Sequence, residues 1–222
     1  MRTMLSLIQI GWRILYYAAF VYPKFKSFTM VGRFSYLTNL LLAQKVTKLP
    51  GAVIECGVWR GGMIGGIAKV LGSDREYYLF DSFEGLPPVK EIDGEAAKHW
   101  QEDTNGPYYF NNCKAEQTFA EAAMRKSGAT KFTITPGWFE STLKKYKGEP
   151  IALLRLDADW YESTQICLKQ LSPYVVKGGI IIIDDYYTWE GCTKAVNQFL
   201  FESDRVMEGR QFLNHVFYIQ IK

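Results

Sequence analysis

Ala52-Val53-Ile54-Glu55-Cys56-Gly57-Val58-Trp59-Arg60-Gly61-Gly62 decides the fold: five residues of buried-strand character end beside an acid and run into a glycine turn. From Gly62 to Leu71 the apolar pattern turns helical, and Glu76 to Phe80 reads as a second strand. Strand, helix, strand is the opening of a parallel α/β sheet. Upstream, a helix over Ser35 to Lys48 stops at Leu49-Pro50-Gly51. Downstream the alternation continues with a helix from Lys114 to Ser127, a strand from Lys131 to Thr135 and a short helix after Gly137-Trp138. A strand over Ile151 to Leu156 and a helix over Tyr161 to Ser172, stopped near Pro173, come next. The run from Gly179 to Ile183 is apolar throughout, as in a strand buried on both faces. A helix over Glu190 to Phe201 and a strand over His215 to Ile221 close the chain, with no strand strong enough to place between them.

The expected architecture is therefore a doubly wound, mainly parallel α/β sheet over residues 29–222, preceded by an apolar helical segment, residues 1–28. The stretch from Glu84 to Asn112 is long and rich in Pro, Gly, acids and aromatics, and reads as a lid. A chain of 222 residues with 48% hydrophobic content can bury one core, and nothing forces a second. The balance of 26 basic against 23 acidic residues is too even to suit a nucleic-acid partner. Cys56, Cys113, Cys167 and Cys192 have neither zinc-ligand spacing nor a disulfide pattern, which fits a reducing, cytoplasmic setting. Gln9, Gly11 and Arg13 interrupt the apolar run from Met4 to Tyr22, and no cleavage site of small residues follows it. Two readings stand for that run. It is a helix at a membrane surface with Arg13, Lys24 and Lys26 among headgroups, or a helix packed on the domain or on a partner subunit of a homo-oligomer.

Four motifs carry chemistry. In the first, Gly57, Gly61 and Gly62 lack the G-x-G-x-x-G spacing that seats a dinucleotide pyrophosphate. Glu55 at the strand end is poorly placed beside a phosphate but suits the cationic amino-acid and sulfonium end of S-adenosylmethionine. In the second, Phe80-Asp81-Ser82-Phe83-Glu84-Gly85, Asp81 ends the next strand where such folds place a ribose-binding acid. The third joins Leu156-Asp157-Ala158-Asp159-Trp160-Tyr161 to Ile183-Asp184-Asp185-Tyr186. If those strands are neighbours, Asp157, Asp184 and Asp185 converge, and three carboxylates so close repel unless a cation sits among them. Mg²⁺, a hard oxygen-seeking ion, is the natural occupant. In the fourth, Thr135 to Leu143, Trp138 and Phe139 follow a strand-end turn at the expected adenine edge. His99 in the lid and Tyr186 are candidate acceptor contacts, whereas His215 falls in the last strand and reads as structural.

Together E-C-G-V-W-R-G-G (55–62), F-D-S-F-E-G-L-P (80–87), G-W-F-E-S-T-L (137–143), L-R-L-D-A-D-W-Y-E-S-T (154–164) and G-G-I-I-I-I-D-D-Y (178–186) resemble the macrocin O-methyltransferase family, in order along the chain. Known members include sugar O-methyltransferases of the tylosin, mycinamicin and novobiocin pathways. The resemblance implies a class I, Rossmann-like methyltransferase fold, S-adenosylmethionine as cofactor, and a Mg²⁺ ion that holds the hydroxyls of an acceptor sugar or glycoside. It implies that Glu55, Gly57 and Gly61 line the methionine end of the cofactor and Asp81 its ribose. Ser82, Gly137, Trp138 and Phe139 fall on the adenosine side, with Trp59, Gly62 and Phe83 as neighbouring cofactor contacts. Thr29 and Met30 resemble a segment that folds over the cofactor. Asp157, Asp184 and Asp185 match metal ligands, and Asp159, or Asp157 in its place, the catalytic base. The rival expectations are a non-catalytic, membrane-associated module that binds the same cofactor and a nicotinamide oxidoreductase.

Overall fold

The computed structural model describes residues 2–213 and 215–222, with side chains from residue 9 onward. The predicted strands and helices over Ala52 to Leu71 and Ile151 to Leu171 form where expected. They are β1 (Ala52–Cys56), α4 (Gly62–Leu71), β4 (Ile151–Leu156) and α8 (Tyr161–Leu171). Between them lie β2 (Tyr77–Asp81), α6 (Gln117–Ser127), β3 (Phe132–Pro136) and the short α7 (Phe139–Thr142). The seven-stranded sheet runs β3-β2-β1-β4-β5-β7-β6, with β5 spanning Val175–Ile183 and β7 spanning Val216–Ile221. The first five strands are parallel, β7 pairs antiparallel with β5, and β6 (Met207–Phe212) pairs antiparallel with β7 at the edge, so β7 alone is reversed among these strands. Between α9 (Glu190–Glu202) and β7, β6 occupies the position the sequence left blank. Its half-buried to exposed MEGRQF sequence explains the weak pattern: an edge strand buries too little to need alternation.

The sheet is covered on both faces by two hydrophobic clusters. Val53, Leu79, Leu153 and Ile182 face α3 (Arg33–Gln44) and α4, while Ile54, Leu154, Ile181 and Ile219 face α8 and α9. Burying such side chains is worth roughly 1.5–3 kcal/mol each, which fixes the strands whose carboxyl ends build the site.

The N-terminal segment comprises α1 (Arg2–Tyr16), a π-helical turn Tyr17–Val21 and α2 (Tyr22–Phe25). It packs on the domain rather than standing apart from it. Tyr17, Val21 and Phe25 are buried in the core, and Tyr17 Oη donates to Gln44 Oε1 at 2.8 Å. Trp12, Leu15, Tyr16 and Phe20 remain exposed along the same segment. No described helix is long and apolar enough to cross a membrane.

The lid stretch is more ordered than its sequence suggests. It carries α5 (Glu95–Glu102) and a left-handed turn over Asn111–Cys113, and Gln101 ties it together through Val89 N, Pro87 O and Asn112 Oδ1. Asp93 accepts from Lys90 N and from Tyr161 N at the start of α8. The result is a cap fastened to the sheet edge by polar anchors, a pattern with no periodicity to read.

Candidate active site

The site lies at the carboxyl ends of β1, β2, β4 and β5, where ligands bind in open α/β sheets. One cavity there is lined by Met30, Gly57, Trp59, Asp81, Ser82, Trp138, Phe139, Asp157 and Asp159, all singled out by sequence. A smaller one beside it brings Thr29 and Met30 against Glu55, Trp59, Arg155 and Asp157. Gly57 lets the two strands meet: at φ +82° a Cβ would stand 1.7 Å from the carbonyl oxygen of Asp157.

Gly61, Gly62, Phe83 and Gly137, also named from sequence, line neither cavity. Gly61 abuts Ala120, and Gly62 lies against the backbone of Phe28. Phe83 is buried in the core, and Gly137 N is bonded to Asp81 O. His99 is on the exposed side of α5 and does not line the cavity. Tyr186 stacks on Phe217 with centroids 3.8 Å apart and donates to Asn197, which turns its ring away from the cavity.

Asp81 is already engaged. Its Oδ2 accepts from Val58 N at 2.6 Å and Trp59 N at 2.7 Å, and its Oδ1 from Phe83 N at 2.6 Å. Oδ1 therefore keeps one lone pair for a hydroxyl. Burial pushes its pKa up, against the pull of those three amides.

Asp157, Asp184 and Asp185 do converge: one oxygen of each lies within 4.8 Å of the others. The chain itself supplies one cation to this cluster. Arg155, fully buried, donates through Nη1 to Glu55 Oε1 at 2.8 Å and to Asp157 Oδ2 at 2.9 Å. Its Nη2 lies 2.5 Å from Asp184 Oδ1, an ion pair too bent for a hydrogen bond. A lone arginine between Leu154 and Leu156 was the available signal, because a charge inside a buried strand must find partners.

One guanidinium does not neutralise the cluster. Burial raises Asp184 to about 6, with Arg155 opposing and Asp157 adding to the rise. Burial and the charge of Asp157 raise Asp159 to about 8, against the hydrogen bond from Trp189 Nε1 at 3.0 Å. Asp185 is pushed well above the usual carboxylate range by burial and by Asp159, and Glu55 is raised to about 8 by burial despite Arg155. A further cation among these acids would offset the burial that raises them. An all-oxygen set suits a hard divalent ion. Glu55 Oε2, buried without a hydrogen-bond partner among the described residues, suits an ammonium.

Sequence reasoning also missed the aromatic wall. Trp100, Trp160 and Trp189 meet edge to face with centroids 5.4–6.3 Å apart beside Asp159, and Trp160 Nε1 donates to Pro87 O at the cavity lip.

The strand order β3-β2-β1-β4-β5-β7-β6 with β7 reversed, and helices on both faces, is the class I methyltransferase fold. Residues 19–208 match the macrocin-O-methyltransferase (TylF) family, and the chain belongs to it. The chain is 34% identical over 158 residues to demethyldecarbamoylnovobiocin O-methyltransferase of Streptomyces niveus, covering 68% of this chain and 59% of that protein. It is 33% identical over 184 residues to 8-demethyl-8-(2,3-dimethoxy-alpha-L-rhamnosyl)-tetracenomycin-C 4'-O-methyltransferase of Streptomyces olivaceus, covering 77% of this chain and 67% of that enzyme. The match thus spans about three fifths to two thirds of these relatives' length. Among solved structures, the O-methyltransferase NovP superposes with a TM-score of 0.71 at 28% identity, over 87% of this chain and 82% of its own.

Proposed function

We propose that this protein transfers the methyl group of S-adenosylmethionine to a hydroxyl of a sugar or glycoside, assisted by Mg²⁺. The observation that carries the reading is the convergence of Asp157, Asp184 and Asp185 beside a cavity that also holds Gly57, Asp81 and Trp138. Membership of a family of O-methyltransferases supports the chemistry, and a relative named for acting on a rhamnosylated compound supports the acceptor class.

In this mechanism Glu55 receives the donor's ammonium, Asp81 a ribose hydroxyl, and Trp138 and Phe139 the adenine side. Asp157, Asp184 and Asp185 would hold the ion. When bound, Mg²⁺ supplies a Lewis acid that lowers the pKa of an acceptor hydroxyl and fixes its orientation. Asp159, hydrogen-bonded by Trp189, accepts the hydroxyl proton as the O–CH₃ bond forms and the S–CH₃ bond breaks. The products are a methyl ether, S-adenosylhomocysteine and one proton. The cap with its tryptophan wall excludes water from a reaction in which a cationic sulfur loses its charge.

Thermal shifts and a labelled-methyl screen over glycosides and free sugars test the reading. A rise in Tm with S-adenosylhomocysteine and not NAD, together with Mg²⁺-dependent transfer, is expected. A response to NAD alone, or full transfer in excess chelator, overturns it.

A further inference from the structure

The donor site and the ion site are joined by one side chain. Arg155 is the penultimate residue of β4, its side chain only 1% exposed, and it spans elements that would otherwise hold their acids independently. Nη1 binds Glu55 on β1 and Asp157 just past β4, Nη2 pairs with Asp184 just past β5, and Nε points at Asn39 Oδ1 on α3, 3.3 Å away. On each acid Arg155 takes one oxygen: Oε1 of Glu55, Oδ2 of Asp157, Oδ1 of Asp184. Glu55 Oε2 is left with no hydrogen-bond partner among the described residues.

We propose that Arg155 is a positioning residue that sets the donor-binding carboxylate and two ion-binding carboxylates together, holding one oxygen of each so that the other is presented to its ligand. This rests on the function proposed above and adds to it a shared support for the two sites. A role in stability alone accounts poorly for the arrangement. Apolar residues flank Arg155 on its strand and beside it at Ile182, and a well-packed apolar residue is often no worse for stability than a buried ion network. What an apolar residue cannot do is fix three carboxylates at once. Lysine cannot either, because a single ammonium lacks the planar fork that reaches acids on separate strands. Asn39 completes the device by holding the Nε side of the guanidinium, and its own Nδ2 is tied to Ser35 O at 2.9 Å.

The test measures binding to the full-length protein by calorimetry, with S-adenosylhomocysteine for the donor site and Mn²⁺ for the ion site. Circular dichroism and Tm serve as controls for folding. Arg155→Lys keeps the charge and is expected to weaken both affinities by about 10- to 100-fold, the range seen when a group supporting metal ligands is lost. Arg155→Met is expected to weaken both further. Asn39→Ala, which removes no charge, is expected to weaken both several-fold, and it carries the test should the Arg155 variants fail to fold. A merely structural arginine would lower Tm and leave both affinities intact well below the melting range. A folded Arg155→Lys protein with either affinity unchanged overturns the proposal, as does an Asn39→Ala protein with both unchanged where the arginine variants do not fold. Wild-type protein that binds neither probe overturns the proposed function and this assignment with it. Wild-type protein that binds both, matched by Arg155→Lys, overturns this assignment alone.

Discussion

Replacing Asp184 with Asn should make the protein more stable and inactive at once. The folded environment raises the Asp184 pKa from an ordinary 3.8 to about 6, so ionising this group is harder in the folded chain than in the unfolded one. An acid with a raised folded pKa retains its proton longer when folded. Stability from this source is therefore fullest below the unfolded value and is lost as pH rises through about 6. At pH 8 the loss is complete. A shift of about two units at 1.36 kcal/mol per unit gives about 3 kcal/mol. The Asp184 side chain keeps 20% exposure, and solvent screening brings that to about 2 kcal/mol. Asn resembles the protonated acid, so Asp184→Asn in chelator at pH 8 should melt roughly 4–8 °C above wild type for a chain of this size. The gap should shrink as the pH is lowered from 6 toward 4. Saturating Mg²⁺ should reverse the order: wild type gains about 2.7 kcal/mol at a hundredfold excess over Kd, and the variant gains little. Calorimetric scans at pH 8 and pH 4.5, with Mg²⁺ and with chelator, read all of this. A variant less stable than wild type in chelator at pH 8, or one that gains as much from Mg²⁺, refutes the reasoning.

Asp159→Asn should lower kcat by roughly 10²–10⁴ while the affinities for S-adenosylhomocysteine and Mn²⁺ stay near wild type, as expected for a proton acceptor that binds neither. The kcat profile should rise with pH along a limb at or below about 8, since Asp159 must be ionised to accept a proton and a bound cation favours ionisation. Trp189→Phe removes the hydrogen bond that favours the ionised form, so the same limb should move to higher pH, and an unmoved limb would remove Trp189 from the account. Gly57→Ala places a Cβ against the Asp157 carbonyl and asks alanine to hold φ +82°. The backbone term alone costs about 1–2 kcal/mol and the clash adds to it, so denaturant unfolding should show a loss above about 2 kcal/mol. Stability unchanged within error would mean the strands part there without cost.

The parallel core was legible because its signals are local: an apolar run such as Gly179 to Ile183 cannot be solvated, and a glycine turn after a strand must bend. Acids at strand ends were legible for the same reason, since Asp157 and Asp184 interrupt apolar runs at the point where a strand leaves the core. What escaped depends on contacts between distant residues. Trp100, Trp160 and Trp189 come from the cap and from the starts of α8 and α9, and nothing in their spacing announces one wall. Tyr186 was misjudged because the chain turns sharply after Asp185, and the ring finds Phe217 on β7 instead of the cavity. Arg155 was in plain view, but its meaning required the register between β1, β4 and β5.

That register explains why charge collects here. Leu79, Glu55, Arg155 and Ile182 stand abreast across β2, β1, β4 and β5. Side chains two apart on a strand share a face, so two residues further on the same face carries Asp81, Gly57, Asp157 and Asp184 in a second row. The first row is inside the core, where Arg155 and Glu55 can persist only as partners; the second is at the rim, where acids can meet a ligand. Because Gly57 contributes no side chain, the second row has a gap between Asp81 on one side and Asp157 with Asp184 on the other. The cavity touches Asp81, Gly57 and Asp157, which puts it in that gap. A donor lying there would have its ribose near Asp81 and its reactive end toward the ion-binding acids, with Arg155 one row beneath and paired to Asp157. On the proposed function, the same two-residue period that alternates core and surface along each strand would set the donor and the acceptor hydroxyl side by side, with a glycine at the crossing point keeping the path between them open.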